Sequence, residues 1–117
     1  MTADGRTTIR DMVRAIQVEL RDTEVAPSRA RALLIELTAL SGNCSAEVRQ
    51  ADAEYNGVLL KQLNGEEAAN RATIRAKATP EYQRFREAQD TFKLVVEMIR
   101  SLKTVIKSIE SEMHLAR

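Results

Sequence analysis

From Thr8 onward the apolar residues return every three or four positions, the spacing of one face of an α-helix. Ile9, Met12, Val13, Ile16 and Leu20 form the first stripe, and Thr8 opens it with Asp11 three residues on, an imperfect capping box. The stripe ends at Thr23-Glu24-Val25-Ala26. Pro27 follows, which disfavours helix in the residue ahead of it and suits the first turn of the next one. A second stripe holds Ala30, Leu33, Leu34, Leu37 and Leu40. Ser41-Gly42-Asn43 predicts its end, with Gly42 in the left-handed conformation that caps a helix.

A third helix is predicted from near Ser45, with Val48, Ala51, Tyr55, Val58, Leu59 and Leu63 on one side. Asn64-Gly65 is a stop signal, yet the strong helix formers from Glu66 to Ala72 follow directly, so the reading favours one helix, kinked at most, to about Ala78. Thr79-Pro80-Glu81 is the clearest boundary: a capping hydroxyl, a proline at the first helical position and an acid in the first turn. No Gly or Pro intervenes from there to Ala116. That is roughly 37 residues, or about 55 Å of helix, against an average near 11–12 residues.

Phe85, Phe92, Ile99, Ile106 and Met113 recur at a spacing of seven within this last helix. Ala88, Val95, Leu102, Ile109 and Ala116 follow each by three, making an apolar seam of the coiled-coil type. Val96, Met98 and Val105 widen it beyond a two-stranded seam. Two short N-terminal helices cannot cover it. The third helix folding back, further copies of the chain, or both would do so, and self-association through Phe85, Phe92, Val95, Ile99, Leu102, Ile106, Ile109 and Met113 is the favoured reading. The core of a monomeric bundle is the alternative. The predicted fold is therefore all-α: a long antiparallel helical hairpin or coiled-coil bundle with two shorter N-terminal helices, oligomeric. Residues 1–42 form the N-terminal helical pair and residues 43–117 the hairpin.

Composition sharpens this picture in one respect. Aromatic residues make up only 3% of the 117 residues, so the core must come from aliphatic side chains and alanine. The N-terminus lacks an apolar leader and no run approaches the roughly 18 apolar residues of a membrane span, so a cytoplasmic protein is expected. Cys44 is the sole cysteine, which excludes an internal disulfide, and it is read as an inert or partly buried thiol.

The formal net charge is +1, but it is unevenly spread. Residues 71–107 carry nine basic and four acidic groups, whereas residues 43–70 carry two and five. Arg86, Lys93, Arg100, Lys107 and His114 also repeat at seven, with Lys103 alongside, making a basic ridge beside the apolar seam. A solvated face explains the first half of it, since Arg86 can pair with Asp90 and Lys93 with Glu97. From Arg100 to Lys107 no acid offsets the charge. Together with Arg71, Arg75 and Lys77, this makes a phosphate-binding surface plausible, more so when symmetry repeats the ridge.

Catalytic signatures are missing. One Cys and one His make no structural zinc site within a chain, and His114 reads as a surface residue near a frayed end. There is no glycine-rich phosphate loop, nucleophile elbow or HExxH. Glu66 and Glu67 are helix neighbours about 100° apart, a solvated face rather than an acid–base dyad. Tyr55 and Tyr82 at helical apolar positions are read as core rather than as stacking platforms. No enzyme, metal or cofactor is expected.

Several of these features occur together in one order. A helix bearing Ala53-Glu54-Tyr55 leads into the basic stretch Asn70-Arg71-Ala72-Thr73-Ile74-Arg75-Ala76-Lys77, then the polar break Ala78-Thr79-Pro80. The long helix follows, with Phe85, Ala88-Gln89-Asp90-Thr91-Phe92-Lys93 and Ile99-Arg100-Ser101-Leu102-Lys103-Thr104-Val105-Ile106. Over about residues 46–117 this layout resembles small helical proteins of phage replication and recombination cassettes, including the UvsY-type recombination mediators. The resemblance implies a helical hairpin assembled into a ring, with basic residues on single-stranded DNA to help load a recombinase. The positions it would assign to DNA are Lys61, Arg71, Arg75, Lys77, Arg100, Lys103 and Lys107. The N-terminal pair has no counterpart in that layout and reads as a docking module for a partner protein. A protein–protein adaptor or inhibitor, such as a phage anti-defence protein or assembly chaperone with no nucleic-acid role, is the second reading; a scaffold piece of a larger particle is the third.

Overall fold

The computed structural model describes residues 8–65 and 68–115, and these are all-helical, with no strand among them. Four helices follow in order: α1 (Ile9–Asp22), α2 (Pro27–Gly65), α3 (Ala69–Lys77) and α4 (Pro80–Leu115). The two long helices, α2 and α4, pack against each other. The chain forms two compact units, one of residues 1–43 with 93–117 and one of residues 44–92, so it passes between them within α2 and again within α4.

The capping signals act as the sequence predicts. The Thr8 hydroxyl accepts from the Asp11 amide at 3.1 Å while the Asp11 carboxylate accepts from the Thr8 amide at 3.2 Å, so the box closes in both directions. Hydrogen bonding from the Thr8 side chain, and then from its backbone amide, holds the Asp11 carboxyl below the usual carboxylate range. At α4, the Thr79 hydroxyl accepts from the Tyr82 amide at 3.3 Å.

The first unit is built from α1, the N-terminal part of α2 and the C-terminal part of α4. Its core is Val13 and Ile16 from α1, Ala30, Leu33, Leu37 and Leu40 from α2, and Val95, Met98 and Leu102 from α4, all buried. Each fully buried Leu contributes roughly 1.5–3 kcal/mol relative to exposure. Arg29 clamps α2 to α1 with two donors, each 2.7 Å from Glu19. This holds the Glu19 carboxyl low and the Arg29 guanidinium high. Arg31, near the start of α2, meets Glu110, near the end of α4, at 3.1 Å, so within this unit the two helices run antiparallel.

The second unit is built from the rest of α2, α3 and the start of α4. Cys44, Ala51 and Tyr55 of α2 and Ala72 and Ala76 of α3 are buried. The Tyr55 ring lies 5.0 Å from Tyr82 and stacks at 5.8 Å on Phe85; Tyr55 belongs to the core, as its helical spacing implies, and Tyr82 is half-buried against it.

Three expectations need correction. The chain does not stop at Ser41-Gly42-Asn43: α2 runs straight through, so one shorter N-terminal helix stands where two are predicted. The cause lies in the phase of the stripe. Leu33, Leu37, Leu40, Cys44, Val48, Ala51 and Tyr55 keep an unbroken spacing of three or four, and all are buried or half-buried. Second, α2 ends at Gly65 and a separate α3 begins at Ala69, with Ala68 extended at φ −118° and ψ 128°, so there is no continuous helix to Ala78. The interruption is seen at Ala68, after Asn64 and Gly65, which are themselves helical. Third, the pairs Arg86–Asp90 and Lys93–Glu97 do not close; Arg84 instead approaches Glu54 at 3.8 Å and Glu81 at 3.6 Å. The readings of Glu66, Glu67 and Ala116 fall outside the described residues.

A stability measurement distinguishes this fold from the predicted one. Gly42 and Gly57 lie inside α2, neither has a positive φ, and a Cβ added to either meets nothing within 4 Å. G42A and G57A should each raise unfolding free energy by about 0.5–1 kcal/mol in urea titrations. A left-handed cap at Gly42 would give the opposite sign for G42A. Acidification is a second check. The lowered Glu19 carboxyl contributes stability above its unfolded pKa and loses it as pH falls through the carboxylate range. Melting temperature should therefore drop on acidification, and E19Q should flatten part of that drop.

Candidate nucleic-acid interface

Packing of the apolar stripe decides where the cations of α4 point. At 100° per residue, Val95, Met98 and Leu102 occupy one sector of about 60°, and Arg100, Lys103 and Lys107 another, roughly a third of a turn away. All three cations are exposed, and among the described residues they enter no ion pair. His114 shares their side of the helix, and with Lys107, Glu110, Ser111 and Leu115 lines an open groove of about 400 Å³. Ser101, Thr104 and Ser108 supply the exposed hydroxyls of the same stretch, with the Thr104 hydroxyl turned back onto the Arg100 carbonyl at 3.1 Å.

The other predicted cations lie in the second unit and differ in surroundings. Arg71, Arg75 and Lys77 are exposed on α3, which carries no acid between Ala69 and Lys77. Lys61, also exposed, lines an open groove of about 590 Å³ with Glu54, Gly57, Val58, Glu81 and Arg84. Two carboxylates in that groove offset the positive charge, so Lys61 is the least suited of the seven to a phosphate. The structure thus assembles Arg100, Lys103 and Lys107 into one set and the α3 cations into another.

The residues expected to mediate self-association are placed as follows. Val95 and Leu102 are buried within the first unit; Phe85, Phe92, Ile99, Ile106 and Ile109 are half-buried; Met113 is exposed. Of the covers the sequence leaves open for the seam, the chain's own helix is the one observed: α2 has 39 residues against 36 in α4. The apolar groups of the first unit that remain outward are Val18, Ile35, Val96, Val105, Met113 and Leu115. Ile35 is the surprise of α2, 72% exposed and directly opposite the buried Leu33 and Leu37. Its sequence neighbourhood Leu33-Leu34-Ile35 is apolar throughout, so only its phase within the stripe marks it as outward.

Sequence reasoning also passed over Arg14, exposed on α1 with no ion pair among the described residues; a helical wheel over Arg10, Arg14 and Arg21 would have found it. Among the described residues no group of His, Cys, Asp and Glu could hold a metal ion, and no helix is long and apolar enough to cross a membrane. No family model, curated protein or solved structure matches this chain.

Cys44 is 1% exposed, and burial, followed by the charge of Glu47, pushes its thiol pKa up. A neutral, enclosed thiol is a poor nucleophile. Iodoacetamide should therefore label native protein at neutral pH roughly ten-fold or more slowly than the urea-unfolded chain. Equal rates would place Cys44 outside the core.

Proposed function

We propose that this protein is a non-catalytic, oligomeric accessory factor that binds single-stranded DNA through cationic helix faces and works beside a recombination or replication protein in the cytoplasm. The observation that carries the reading is the set Arg100, Lys103 and Lys107: three exposed cations in one sector of one helix, unneutralised by the described residues. Such a set attracts a polyanionic backbone without reading its sequence, since the gain comes from counterion release. A monomer with three such contacts binds weakly. Repetition of the ridge by self-association would raise the affinity through effective concentration. The outward Val105 and Met113, on the side of α4 away from these cations, supply apolar area for such an assembly. The layout similar to UvsY-type mediators supports the same reading.

One observation favours the second reading, a protein–protein adaptor or inhibitor. Ile35 and Val18 leave apolar surface open on the helices that the DNA reading does not use. In the proposal this N-terminal surface docks the partner protein; in the adaptor reading it is the whole function.

Salt-titrated binding to a fluorescent single strand tests the proposal. The Arg100–Lys103–Lys107 set alone predicts a log–log slope of about −2 per chain, from about −0.7 per phosphate contact. R100E/K103E/K107E should abolish binding at moderate salt while circular dichroism stays helical. Sedimentation of the wild-type chain should show an oligomer. No detectable binding at low salt would remove the DNA reading and leave the adaptor.

A further inference from the structure

We infer that α3 is a base-contacting element, with Ile74 placed against the unstacked bases of a single strand while Arg71 and Lys77 hold the flanking phosphates. This rests on the proposed DNA binding and adds a site to it. The inward side of α3 is only two methyl groups, Ala72 and Ala76, both with zero exposure. Every long side chain of the helix is consequently turned away from the core. Ile74 lies opposite those alanines and is 69% exposed. At 100° per residue Arg71 sits about 60° round the helix on one side of it and Lys77 about 60° on the other, with Asn70 and Ala78 above and below.

An isolated exposed isoleucine means little. Its setting here is what points to a ligand: cation, apolar group, cation, across a helix whose own residues include no acid. A single strand offers the matching alternation of phosphates and free base faces. A duplex keeps its bases stacked inside and presents mainly phosphate, so Ile74 would find no counterpart without prying a step open. Within the stretch from Arg100 to Lys107 no exposed apolar group lies between one cation and the next: Val105 is on the other flank of α4, and Val96, which shares the cationic sector, lies one turn ahead of Arg100. That set would therefore treat both forms of DNA mainly as backbone, and α3 would add a preference for single strands.

The test compares wild type, I74A and R71A/K77A on a 20-nucleotide oligothymidylate and on a 20-base-pair duplex, by fluorescence anisotropy over a salt series. I74A leaves the core untouched and places a better helix former on an exposed position, so the fold should survive. The expected result is a loss of about three- to ten-fold on the single strand at unchanged salt slope, with duplex binding unaltered. R71A/K77A should instead lower the single-strand slope by about 1.4. Single-strand affinity of I74A equal to wild type, or an equal loss on both DNAs, overturns the role of Ile74 while the DNA reading stands. Failure of wild type to bind either DNA overturns both.

Discussion

A helix of 36 or 39 residues stays folded in water only if one of its faces is covered along most of its length, because propensity alone stabilises long helices weakly. With so few aromatic rings, this chain must achieve that cover with aliphatic groups that repeat in strict phase. A slip of one residue turns a helix by about 100° and would carry its stripe into solvent. The unbroken line from Leu33 to Tyr55 on α2 is the element on which the remainder depends. It supplies one wall of each unit, and α4 returns along it with Phe85, Val95, Met98 and Leu102.

That constraint settles the electrostatics as well. Once the aliphatic sector is turned inward, charged residues at other phases are held outward, and no buried polar or charged residue occurs among the described ones. Where acids and bases lie within reach across two helices, they pair, as Glu19 with Arg29 and Glu110 with Arg31 do. Such exposed pairs orient helices more than they stabilise them. Where a stretch contains only bases, the cations remain available to solvent. This is the state of Arg100, Lys103 and Lys107, and it follows from helix phase and local composition rather than from any dedicated loop.

How far the sequence could be read depended on whether a signal was local. The Thr8–Asp11 box and the Thr79–Pro80 start involve residues within four positions of each other, and both stand as predicted. Gly42 misled for the same reason. As a local cue it reads as a stop, but the packing of Leu40 below it and Cys44 above it keeps the helix continuous, at the modest cost of a helical glycine. Cys44, taken alone, is an odd thiol after a break. Counted into the stripe, four residues from Leu40 and four from Val48, it is the evidence that no break exists. The failed pairs Arg86–Asp90 and Lys93–Glu97 show the converse, since spacing permits such contacts without securing them.

The sequence by itself determined that the chain is helical, where α1 and α4 begin, and that cations collect on one flank of α4. Each of these depends on spacing within a few turns of one helix. Tertiary packing decided that residues 27–65 form one helix and that α3 stands apart from it. It also decided that α2 packs against α4, and that Ile35 and Ile74 face outward. Those outcomes turn on which stripe finds a partner of matching length and phase, and only the folded chain brings the two together.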